Sequence, residues 1–417
     1  MCPRETFLFS IPWLFVKVYV EAYGCSQNIA ETYMLAKSMG EIVDTPEEAE
    51  AIVLGTCIVI EHTEHRMLRR IEELKKYGKK LIVYGCLPSA RMETVPDGVI
   101  TVRTWELERA NEILSLKKSP MNEIHTMDRV ATIPIANGCL GSCTYCITRL
   151  ARGRVRSRSP EGIQNTVKRA LDMGMREIRL SAQDTAAYGK DIGTNLAELV
   201  NSIVEIPGEF RIRVGMMEPR ETLSILDSLI ESYSHEKVYK FLHLPVQSGD
   251  DRILRAMNRG YSVDDFLNIV REFRRKIPGL MLSTDIIVGF PGENGESFEN
   301  TMELIREIRP EILNITRFSP RPKTPAYRWK RPSTNDVKRW SKELSELHYS
   351  IIEDINRGHI GKKIRVLVPQ RGKRGNYIGR TDEYRPVILR NAPLGEFVEV
   401  KIVDAKNTYL LGELIEY

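Results

Sequence analysis

Residues 137–149 read NGCLGSCTYCITR and place Cys139, Cys143 and Cys146 in a C-x3-C-x2-C pattern. Three thiolates from one short loop suit an iron–sulfur cluster, because cysteine is the usual ligand of cluster iron. A cubane cluster has four irons, so three cysteines leave one iron free to take part in chemistry. The alternative is a zinc knuckle with a fourth ligand elsewhere, although zinc sites favour paired C-x2-C units. We call these three cysteines the loop triplet.

Three further cysteines, Cys25, Cys57 and Cys86, are spaced at about the length of a βα unit. Each follows a strand-like run, namely VKVYVEAYGC, AIVLGTC and LIVYGC. The carboxyl ends of parallel strands meet at one edge of a sheet, where ligands bind, so we expect these cysteines to converge on a second cluster site. The alternatives are small buried residues or, less well supported, disulfides, because nothing marks the chain as secreted. We call them the strand triplet and give the seventh cysteine, Cys2, no role.

Composition and length indicate an enzyme of two or three domains rather than a membrane protein. The 417 residues are 42% apolar and 28% charged, with a net charge of +5. The apolar start, residues 1–15, lacks a basic region and a cleavage site and is too short to span a bilayer, so we assign it no role. We expect a cytoplasmic protein without a membrane partner, which also suits oxygen-sensitive clusters.

The first region, residues 16–125, alternates strands with helices and predicts a small doubly wound α/β domain. Apolar spacing predicts helices over residues 30–40, 64–77 and 106–116. Gly40 and Gly78 are candidate helix C-caps.

The second region, residues 126–357, alternates six strand-like runs with helical ones and predicts a partial TIM-type barrel. Pro160 and Ser262 lie near the starts of two of its helices. A long helix over residues 335–356 leads to the last region.

Polar and glycine residues cluster at the carboxyl ends of the predicted strands, where barrel enzymes bind ligands. Each of them alone is a turn or cap residue, which is the interpretation that we favour for Glu293. As a set they indicate a ligand pocket, and they are Ser181, Gln183, Asp184, His243, Gln247, Ser248, Asp285, Gly289, Pro291, Gly292 and Glu293.

The last region, residues 358–417, holds five short β-rich runs separated by turns such as RGKRGN, which predicts a small five-stranded β-barrel. Residues 362–390 contain nine basic and two acidic side chains, with Tyr377 and Tyr384 among them. Basic groups neutralise phosphates and aromatic rings stack on bases. A solvated barrel face is the alternative. The candidate RNA contacts are Lys362, Arg371, Lys373, Arg374, Tyr377 and Arg380. Five arginines in residues 149–158 face either RNA phosphate or the carboxylate of a cofactor, and the sequence leaves this open.

Several motifs together resemble the methylthiotransferase branch of radical S-adenosylmethionine (SAM) enzymes. They are AYGCSQN, GTCIV, YGCLPS, GCLGSCTYCITRLARG, SAQDTAAYG, HLPVQSGDDRIL and STDIIVGFPGE, and they cover nearly all of the chain beyond residue 16. That family joins a three-cysteine cluster domain to a radical SAM barrel and a C-terminal RNA-binding barrel called TRAM. Thr148 and Arg149 depart from the Ile-Pro pair of the bacterial isopentenyladenosine branch and resemble the archaeal and eukaryotic threonylcarbamoyladenosine branch.

The resemblance implies two 4Fe–4S clusters and SAM as cofactors, and tRNA as partner. One SAM would methylate sulfur held at the strand triplet, and another, cleaved at the loop triplet, would yield a radical that abstracts hydrogen from C2 of the adenine. The product would be 2-methylthio-N6-threonylcarbamoyladenosine at tRNA position 37. Tyr145, Gly289 and Phe290 would lie near the SAM adenine, and Ser181, Gln183 and Asp184 near its methionine or ribose. We expect a monomer, unidentified sulfur and electron donors, and no catalytic acid–base side chain.

Three other functions stay open at this point. In the first, the substrate is isopentenyladenosine in tRNA, and in the second it is an aspartate of a ribosomal protein. In the third, the chain is a non-enzymatic RNA-binding protein with zinc knuckles. The basic residues of the last region count against the ribosomal-protein substrate.

Overall fold

The computed structural model describes residues 16–114 and 124–415. These residues form two compact units. The first contains the described part of Met1–Ile58 and His62–Glu123, and the second contains Val59–Glu61 and the described part of Ile124–Tyr417. Residues 1–15, to which the sequence assigned no role, lie outside the described residues.

The first unit is built on a five-stranded parallel sheet in the order β2-β1-β3-β4-β5, as the predicted doubly wound α/β class requires. Its strands are β1 (Val16–Ala22), β2 (Gly40–Val43), β3 (Ala51–Thr56), β4 (Lys80–Gly85) and β5 (Ile100–Arg103). Its helices are α1 (Ser26–Met39), α2 (Glu61–Lys75), α3 (Cys86–Ala90) and α4 (Ala110–Ile113). The central strand β3 and its neighbour β4 are almost entirely buried, because helices of the unit cover the sheet.

One helix prediction in this unit is wrong in type and length. The apolar spacing of residues 106–116 predicted one α-helix, but the chain forms a 3-10 helix at Thr104–Arg109 and then a single α-helical turn, α4. At its start the Glu106 carboxylate accepts the N–H of Arg103 at 2.8 Å. Residues 115 and 116 lie outside the described part.

The second unit contains the predicted partial barrel of six parallel strands. One sheet has the order β11-β10-β7-β6, in which only β6 runs antiparallel, and the other has the order β12-β13-β14. A parallel bridge between Ile212 and Val238 joins them. The strands are β6 (His125–Met127), β7 (Val130–Pro134), β8 (Ala136–Asn137), β9 (Arg156–Ser157), β10 (Glu177–Ser181), β11 (Arg211–Val214), β12 (Phe241–His243), β13 (Met281–Val288) and β14 (Ile312–Arg317).

Helices alternate with these strands and cover the outside of the partial barrel. They are α5 (Thr148–Arg152), α6 (Pro160–Asp172), α7 (Leu196–Val204), α8 (Pro219–Leu223), α9 (Leu226–Ser234), α10 (Asp251–Ala256), α11 (Val263–Lys276), α12 (Gly295–Ile308) and α13 (Thr334–Arg357). The predicted helix starts are confirmed, because Pro160 is the first residue of α6 and Ser262 caps α11 in a capping box with Asp265.

The end of the chain forms the predicted closed five-stranded barrel, in the order β15-β16-β17-β19-β18. Its strands are β15 (Lys363–Arg371), β16 (Tyr377–Arg380), β17 (Pro386–Leu389), β18 (Phe397–Ala405) and β19 (Leu410–Leu414). Aliphatic residues such as Val366, Val387 and Ile402 fill its interior. We call it the terminal barrel. None of the helices in the described ranges is long and apolar enough to cross a membrane.

Candidate cluster site and nucleic-acid interface

The loop triplet lies at the carboxyl edge of the partial barrel, in the segment that follows β7 and β8. The loop bends at Gly138, which has a φ of 89° and where a Cβ atom would lie 2.1 Å from the carbonyl oxygen of Arg154. The N–H of Cys139 donates to the Gly153 carbonyl at 3.2 Å, and that of Cys146 donates to the Cys143 carbonyl at 3.2 Å. These bonds fold the loop so that it closes on itself.

Each sulfur of the loop triplet accepts at least one hydrogen bond. The Gly141 N–H lies 3.2 Å from Cys139 Sγ, and the Thr148 N–H lies 3.4 Å from Cys146 Sγ. The third donor is a side chain, since Arg259 Nη1 lies 3.2 Å from Cys143 Sγ. Donors of this kind stabilise negative charge on sulfur, and hydrogen bonds to cluster sulfurs tune the reduction potential. The surroundings therefore fit thiolates that bind iron.

Sequence reasoning missed Arg259, which is only 6% exposed. Its Nε donates to the Tyr261 hydroxyl at 2.9 Å, and its guanidinium lies 3.7 Å from a carboxylate oxygen of Glu218. A single arginine after a short helix carries no signal in the sequence, because its distance to the cysteines depends on how the barrel closes.

Burial opposes free thiolates in this loop. Burial and the nearby charge of Asp184 raise the pKa of Cys139 to about 12. Burial and the neighbouring Cys143 also raise the pKa of Cys146. Metal coordination deprotonates a thiol outright, so these buried sulfurs suit a permanently bound cluster.

Two sulfurs of the loop triplet lie close to Gly141. Cys139 Sγ and Cys143 Sγ lie 3.4 and 3.6 Å from the point where Gly141 would carry a Cβ atom. In the described part of the chain, no three His, Cys, Asp or Glu side chains are grouped closely enough to hold one metal ion.

The strand triplet converges at one edge of the first unit, as the spacing predicted. Cys25, Cys57 and Cys86 directly or nearly follow the carboxyl ends of β1, β3 and β4, which are neighbours in the sheet. None of the three is in a disulfide. The weaker alternative of disulfides is therefore not what the structure shows.

Two buried polar side chains tie these strand ends together. Asn28 donates to the Tyr23 carbonyl at 2.7 Å and to the Thr56 carbonyl at 3.2 Å. The Thr56 hydroxyl donates to the Tyr84 carbonyl at 2.7 Å. Gly24, with a φ of 105°, leaves no room for a Cβ atom, which would lie 2.9 Å from Cys57 Cβ. No sequence pattern indicates these contacts, which hold the strand ends that carry the three cysteines side by side.

The residues proposed to surround the SAM adenine lie together beside the loop triplet. The ring of Phe290, which is fully buried, packs edge-on against Tyr145 with centroids 6.1 Å apart. Gly289 precedes it with a φ of 83°, and a Cβ atom there would lie 2.5 Å from a methyl group of Val337. A cavity of about 80 Å³ is lined in part by Tyr145, Cys146 and Phe318.

The polar residues at the end of β10 also lie near the loop triplet. Two of them, Gln183 and Asp184, accept hydrogen bonds from backbone N–H groups. Gln183 Oε1 accepts the N–H of Gly138 at 2.7 Å, next to Cys139. One oxygen of the buried Asp184 carboxylate accepts the N–H groups of Ala186 and Glu218 at 3.1 and 3.0 Å. Burial raises the pKa of Asp184 to about 7. The Ser181 hydroxyl is buried, and in the described residues it has no hydrogen-bond partner.

Glu293 has the turn role that we favoured for it. Its carboxylate accepts the N–H of Gly289, and it also receives the N–H of Phe290. Burial raises the pKa of Glu293 to about 7. Glu293 therefore holds the backbone of the Gly289–Phe290 turn.

A polar network crosses three strands inside the partial barrel. His243 Nε2 lies 3.1 Å from Asp285 Oδ1, and Asn314 Nδ2 donates to the same oxygen at 2.7 Å. The sequence predicts that His243 and Asp285 lie at the rim, whereas Asn314 stands in a strand and carries no such signal. This network provides hydrogen-bonding groups on the wall of the barrel.

The six residues proposed to contact RNA do not form one patch. Arg371, Lys373 and Arg374 lie together and exposed on the hairpin between β15 and β16, and we call them the hairpin bases. Lys362 lies at the other end of β15, about 30 Å away by the rise of an extended strand. Tyr377 packs against the core of the terminal barrel.

Other basic residues of this region bind the protein itself. The Arg380 guanidinium lies 4.3 Å from the ring centre of Tyr384. Arg385 is buried and donates to Asn356 at 2.6 Å, and Arg365 donates to Glu209 at 2.6 Å. Tyr384 is only 8% exposed, so the interpretation that it stacks on bases is wrong.

These contacts dock the terminal barrel at the amino edge of the parallel strands. The Tyr384 hydroxyl lies 3.2 Å from Glu177, the first residue of β10, and its ring packs on Tyr239 just before β12. The Lys240 N–H donates to the Asp382 carbonyl at 2.7 Å, and the Arg129 N–H donates to the Pro369 carbonyl at 3.0 Å. The loop triplet lies at the opposite edge of the same strands.

The five arginines after the loop triplet also include some that bond within the protein and some that are exposed. Arg149 donates to the Gly141 carbonyl at 3.4 Å, Arg152 to Asn137 at 3.1 Å, and Arg158 to the Pro134 carbonyl at 3.2 Å. Arg154 and Arg156 are exposed. Arg149 and Arg152 thus brace the loop, Arg158 holds the end of β7, and the other two arginines face solvent.

Family models match the three parts of the chain. They carry the descriptions "Uncharacterized protein family UPF0004" at residues 17–104, "Radical SAM superfamily" at residues 133–305 and "TRAM domain" at residues 358–415. Among solved structures, the radical SAM methyltransferase TsrM of Kitasatospora setae has a TM-score of 0.54 at 14% identity, covering 75% of this chain and 74% of that chain. The cobalamin-dependent SAM radical enzyme OxsB has a TM-score of 0.51 at 12% identity, covering 81% and 58%. These two likenesses show the fold alone.

Curated relatives match nearly the whole chain. A protein of Pyrococcus horikoshii named "Probable threonylcarbamoyladenosine tRNA methylthiotransferase" is 46% identical, over 96% of this chain and all of the relative. One of the same name from Methanocaldococcus jannaschii is 43% identical over 96% and 97%. The "Threonylcarbamoyladenosine tRNA methylthiotransferase" of Xenopus laevis is 32% identical over 96% of this chain and 77% of its own length. The chain, with its radical SAM and TRAM regions, belongs to the threonylcarbamoyladenosine tRNA methylthiotransferase family.

Proposed function

We propose that this protein is a radical SAM methylthiotransferase that replaces the C2 hydrogen of N6-threonylcarbamoyladenosine, at position 37 of tRNA, with a methylthio group. The observation that carries the proposal is the full-length similarity to relatives of that name, in a chain with two separate sets of three free cysteines. Thr148 and Arg149 support the threonylcarbamoyladenosine branch over the isopentenyladenosine branch.

The residues of each triplet would hold one 4Fe–4S cluster. When bound, the clusters and SAM supply a 5′-deoxyadenosyl radical, a sulfur site and a methyl group, which is chemistry that side chains cannot provide. Arg259 and the N–H groups of Gly141 and Thr148 would balance the negative charge of the loop sulfurs.

The remaining residues of the site position the cofactor. Tyr145, Gly289 and Phe290 would form the wall beside the SAM adenine, with the turn fixed by Glu293. Ser181, Gln183 and Asp184 would face the methionine or ribose part, and the Ser181 hydroxyl is available for this. Polar groups of this kind fix the orientation of a ligand in its pocket.

The hairpin bases of the terminal barrel would contact tRNA phosphates. The target adenine must leave the stack of its loop to reach the carboxyl edge of the partial barrel, as other base-modifying enzymes require. We further propose a cytoplasmic monomer that works with a separate sulfur donor and a separate electron donor.

A defined reaction tests the proposal. Anaerobically reconstituted protein is incubated with SAM, sulfide, a reductant and one of two tRNAs, which carry either threonylcarbamoyladenosine or isopentenyladenosine. Mass spectrometry of the digested nucleosides should show the methylthio product only with the first tRNA. Product only with the second tRNA would move the protein to the isopentenyladenosine branch. A protein that contains no iron would support the zinc-knuckle alternative.

A further inference from the structure

An exposed segment beside the loop triplet is rich in aromatic and basic side chains. Residues 327–331 read YRWKR and follow β14 at the carboxyl edge of the partial barrel, overlapping the 3-10 helix Pro325–Arg328. Tyr327 and Trp329 are 43% and 41% exposed. Residues 317–335 hold six basic and no acidic side chains. We call residues 327–331 the YRWKR segment.

Two contacts fix this segment to the site. The Ala326 N–H donates to the carbonyl of Thr144 at 2.9 Å, and Thr144 lies between two cysteines of the loop triplet. The ring of Trp329 packs edge-on against Phe290 with centroids 6.1 Å apart, and Phe290 in turn contacts Tyr145. The segment therefore lies at the mouth of the proposed active site rather than on a remote surface.

The charges of the segment are not used within the protein. Arg328, Lys330 and Arg331 are exposed, and none of them forms an ion pair with another described residue. Other basic side chains of the second unit, such as Arg385 and Arg365, are bonded to partners of the chain. Unpaired cations that alternate with exposed aromatic rings match the chemistry of single-stranded nucleic acid, which offers phosphates and unstacked bases.

The terminal barrel lies far from the carboxyl edge. That barrel docks at the amino edge of the parallel strands, and β13 alone, with eight residues, spans roughly 25 Å from that edge towards the other. The hairpin bases are thus too far away to hold the nucleotides that flank a base inserted at the carboxyl edge. The YRWKR segment lies at that edge.

We propose that the YRWKR segment binds the single-stranded nucleotides next to the target adenosine. Trp329 and Tyr327 stack on bases, and Arg328, Lys330 and Arg331 contact phosphates. The inference rests on the proposed function, because it takes a tRNA loop as the substrate.

The charge contribution is tested with the full-length protein and a fluorescent anticodon stem-loop RNA, by anisotropy at several salt concentrations. The double variant Arg328→Ala/Lys330→Ala should flatten the slope of log affinity against log salt by about 1.4, since each lost phosphate contact contributes about 0.7 for a single strand. The matched control Lys168→Ala/Lys276→Ala removes two exposed lysines from the outer helices α6 and α11 and should keep the wild-type slope. A double variant with the wild-type slope would overturn the proposal.

The stacking contribution is tested with two variants of Trp329. Stacking of one base on an aromatic side chain contributes enough that Trp329→Ala should weaken binding about 5- to 100-fold, whereas Trp329→Phe should stay within about threefold of the wild type. Equal losses in both variants, or equal losses for an RNA duplex of the same length, would overturn the assignment to stacked single-stranded bases.

The outcome for the proposed function is read separately, from the nucleoside product of the wild-type protein. If the wild type makes the methylthio product but the variants bind RNA as the wild type does, the proposed function stands and this inference fails. If the variants lose RNA affinity as expected but the wild type makes no product, the inference stands and the proposed function fails.

Discussion

Tyr384 should decide whether the terminal barrel stays docked to the partial barrel. Its ring lies 4.8 Å from that of Tyr239 and 5.1 Å from that of Phe241, and its hydroxyl lies 3.2 Å from the fully buried Glu177. Tyr384→Ala removes both the ring and the hydroxyl. Tyr384→Phe removes the hydroxyl alone.

The two substitutions should differ by a large margin. Deleting a buried aromatic ring costs about 3–5 kcal/mol. The lost hydroxyl costs only about 1 kcal/mol, because Glu177 keeps its bonds to Arg179 and Tyr239. At about 1.4 kcal/mol for each factor of ten, the docked interface should open at least a hundredfold more often in Tyr384→Ala and about tenfold or less in Tyr384→Phe.

Hydrogen exchange at single amides reports this opening directly. The N–H groups of Lys240 and Arg129 donate across the interface to the terminal barrel, whereas the N–H of Val368 donates to Glu396 within that barrel. We expect exchange at Lys240 and Arg129 to accelerate by about two to three orders of magnitude in Tyr384→Ala, with little change at Val368. Unchanged exchange at Lys240 would refute the docking role of Tyr384. Equal acceleration at Val368 would also refute it, since the terminal barrel would then have unfolded rather than undocked.

Three further predictions concern the clusters, the Gly289–Phe290 turn and the terminal barrel. Replacing either triplet with alanine should remove about half of the iron, and only loss of the loop triplet should abolish reductive SAM cleavage; full iron after loss of the strand triplet would contradict the second cluster site. The raised pKa of Glu293 means that the folded state binds its proton more tightly than the unfolded state, so this residue should destabilise the protein as pH rises from about 4.5 to 7. Glu293→Gln, which carries no titrating proton, should therefore be more stable than the wild type at pH 8 by up to about 3 kcal/mol and lose this advantage near pH 5, as followed by thermal melting; an advantage independent of pH would contradict the shift. Alanine substitution of the three hairpin bases should weaken tRNA binding and flatten its salt dependence, and an unchanged salt slope would reopen the ribosomal-protein substrate.

Much of the fold follows from local patterns that the sequence displays. Apolar runs followed by helical spacing gave the strands of both α/β regions, and turn residues between short β runs gave the five strands of the terminal barrel. The exception at residues 106–116 arose because apolar residues three apart share one face of a 3-10 helix as well as of an α-helix, so apolar spacing does not separate the two.

The cysteines could be predicted as cluster ligands from their spacing, but the side chains that surround them could not be predicted. Arg259 reaches Cys143 across 116 positions of sequence, and Asn28 and Thr56 brace the strand triplet through bonds between different strands. Such contacts exist only once the sheets close. No local sequence pattern predicts these long-range contacts.

The basic residues of the terminal barrel show the limit of counting charges. Nine basic side chains in residues 362–390 suggested one RNA surface, yet Arg385 and Arg365 bind the partial barrel or its connecting helix, and Arg380 covers Tyr384. A charge that pairs inside the protein is indistinguishable in sequence from one that faces solvent. The YRWKR segment has fewer charges, so counting charges along the sequence does not identify it.

The most direct test of the central claim is nucleoside mass spectrometry of tRNA from cells that lack this gene and carry either the wild-type copy or one with the loop triplet changed to alanine. We predict 2-methylthio-N6-threonylcarbamoyladenosine only with the wild-type copy, and unmethylthiolated threonylcarbamoyladenosine with the variant. The same level of the methylthio nucleoside with the variant copy, or its absence with both copies, would contradict the assignment.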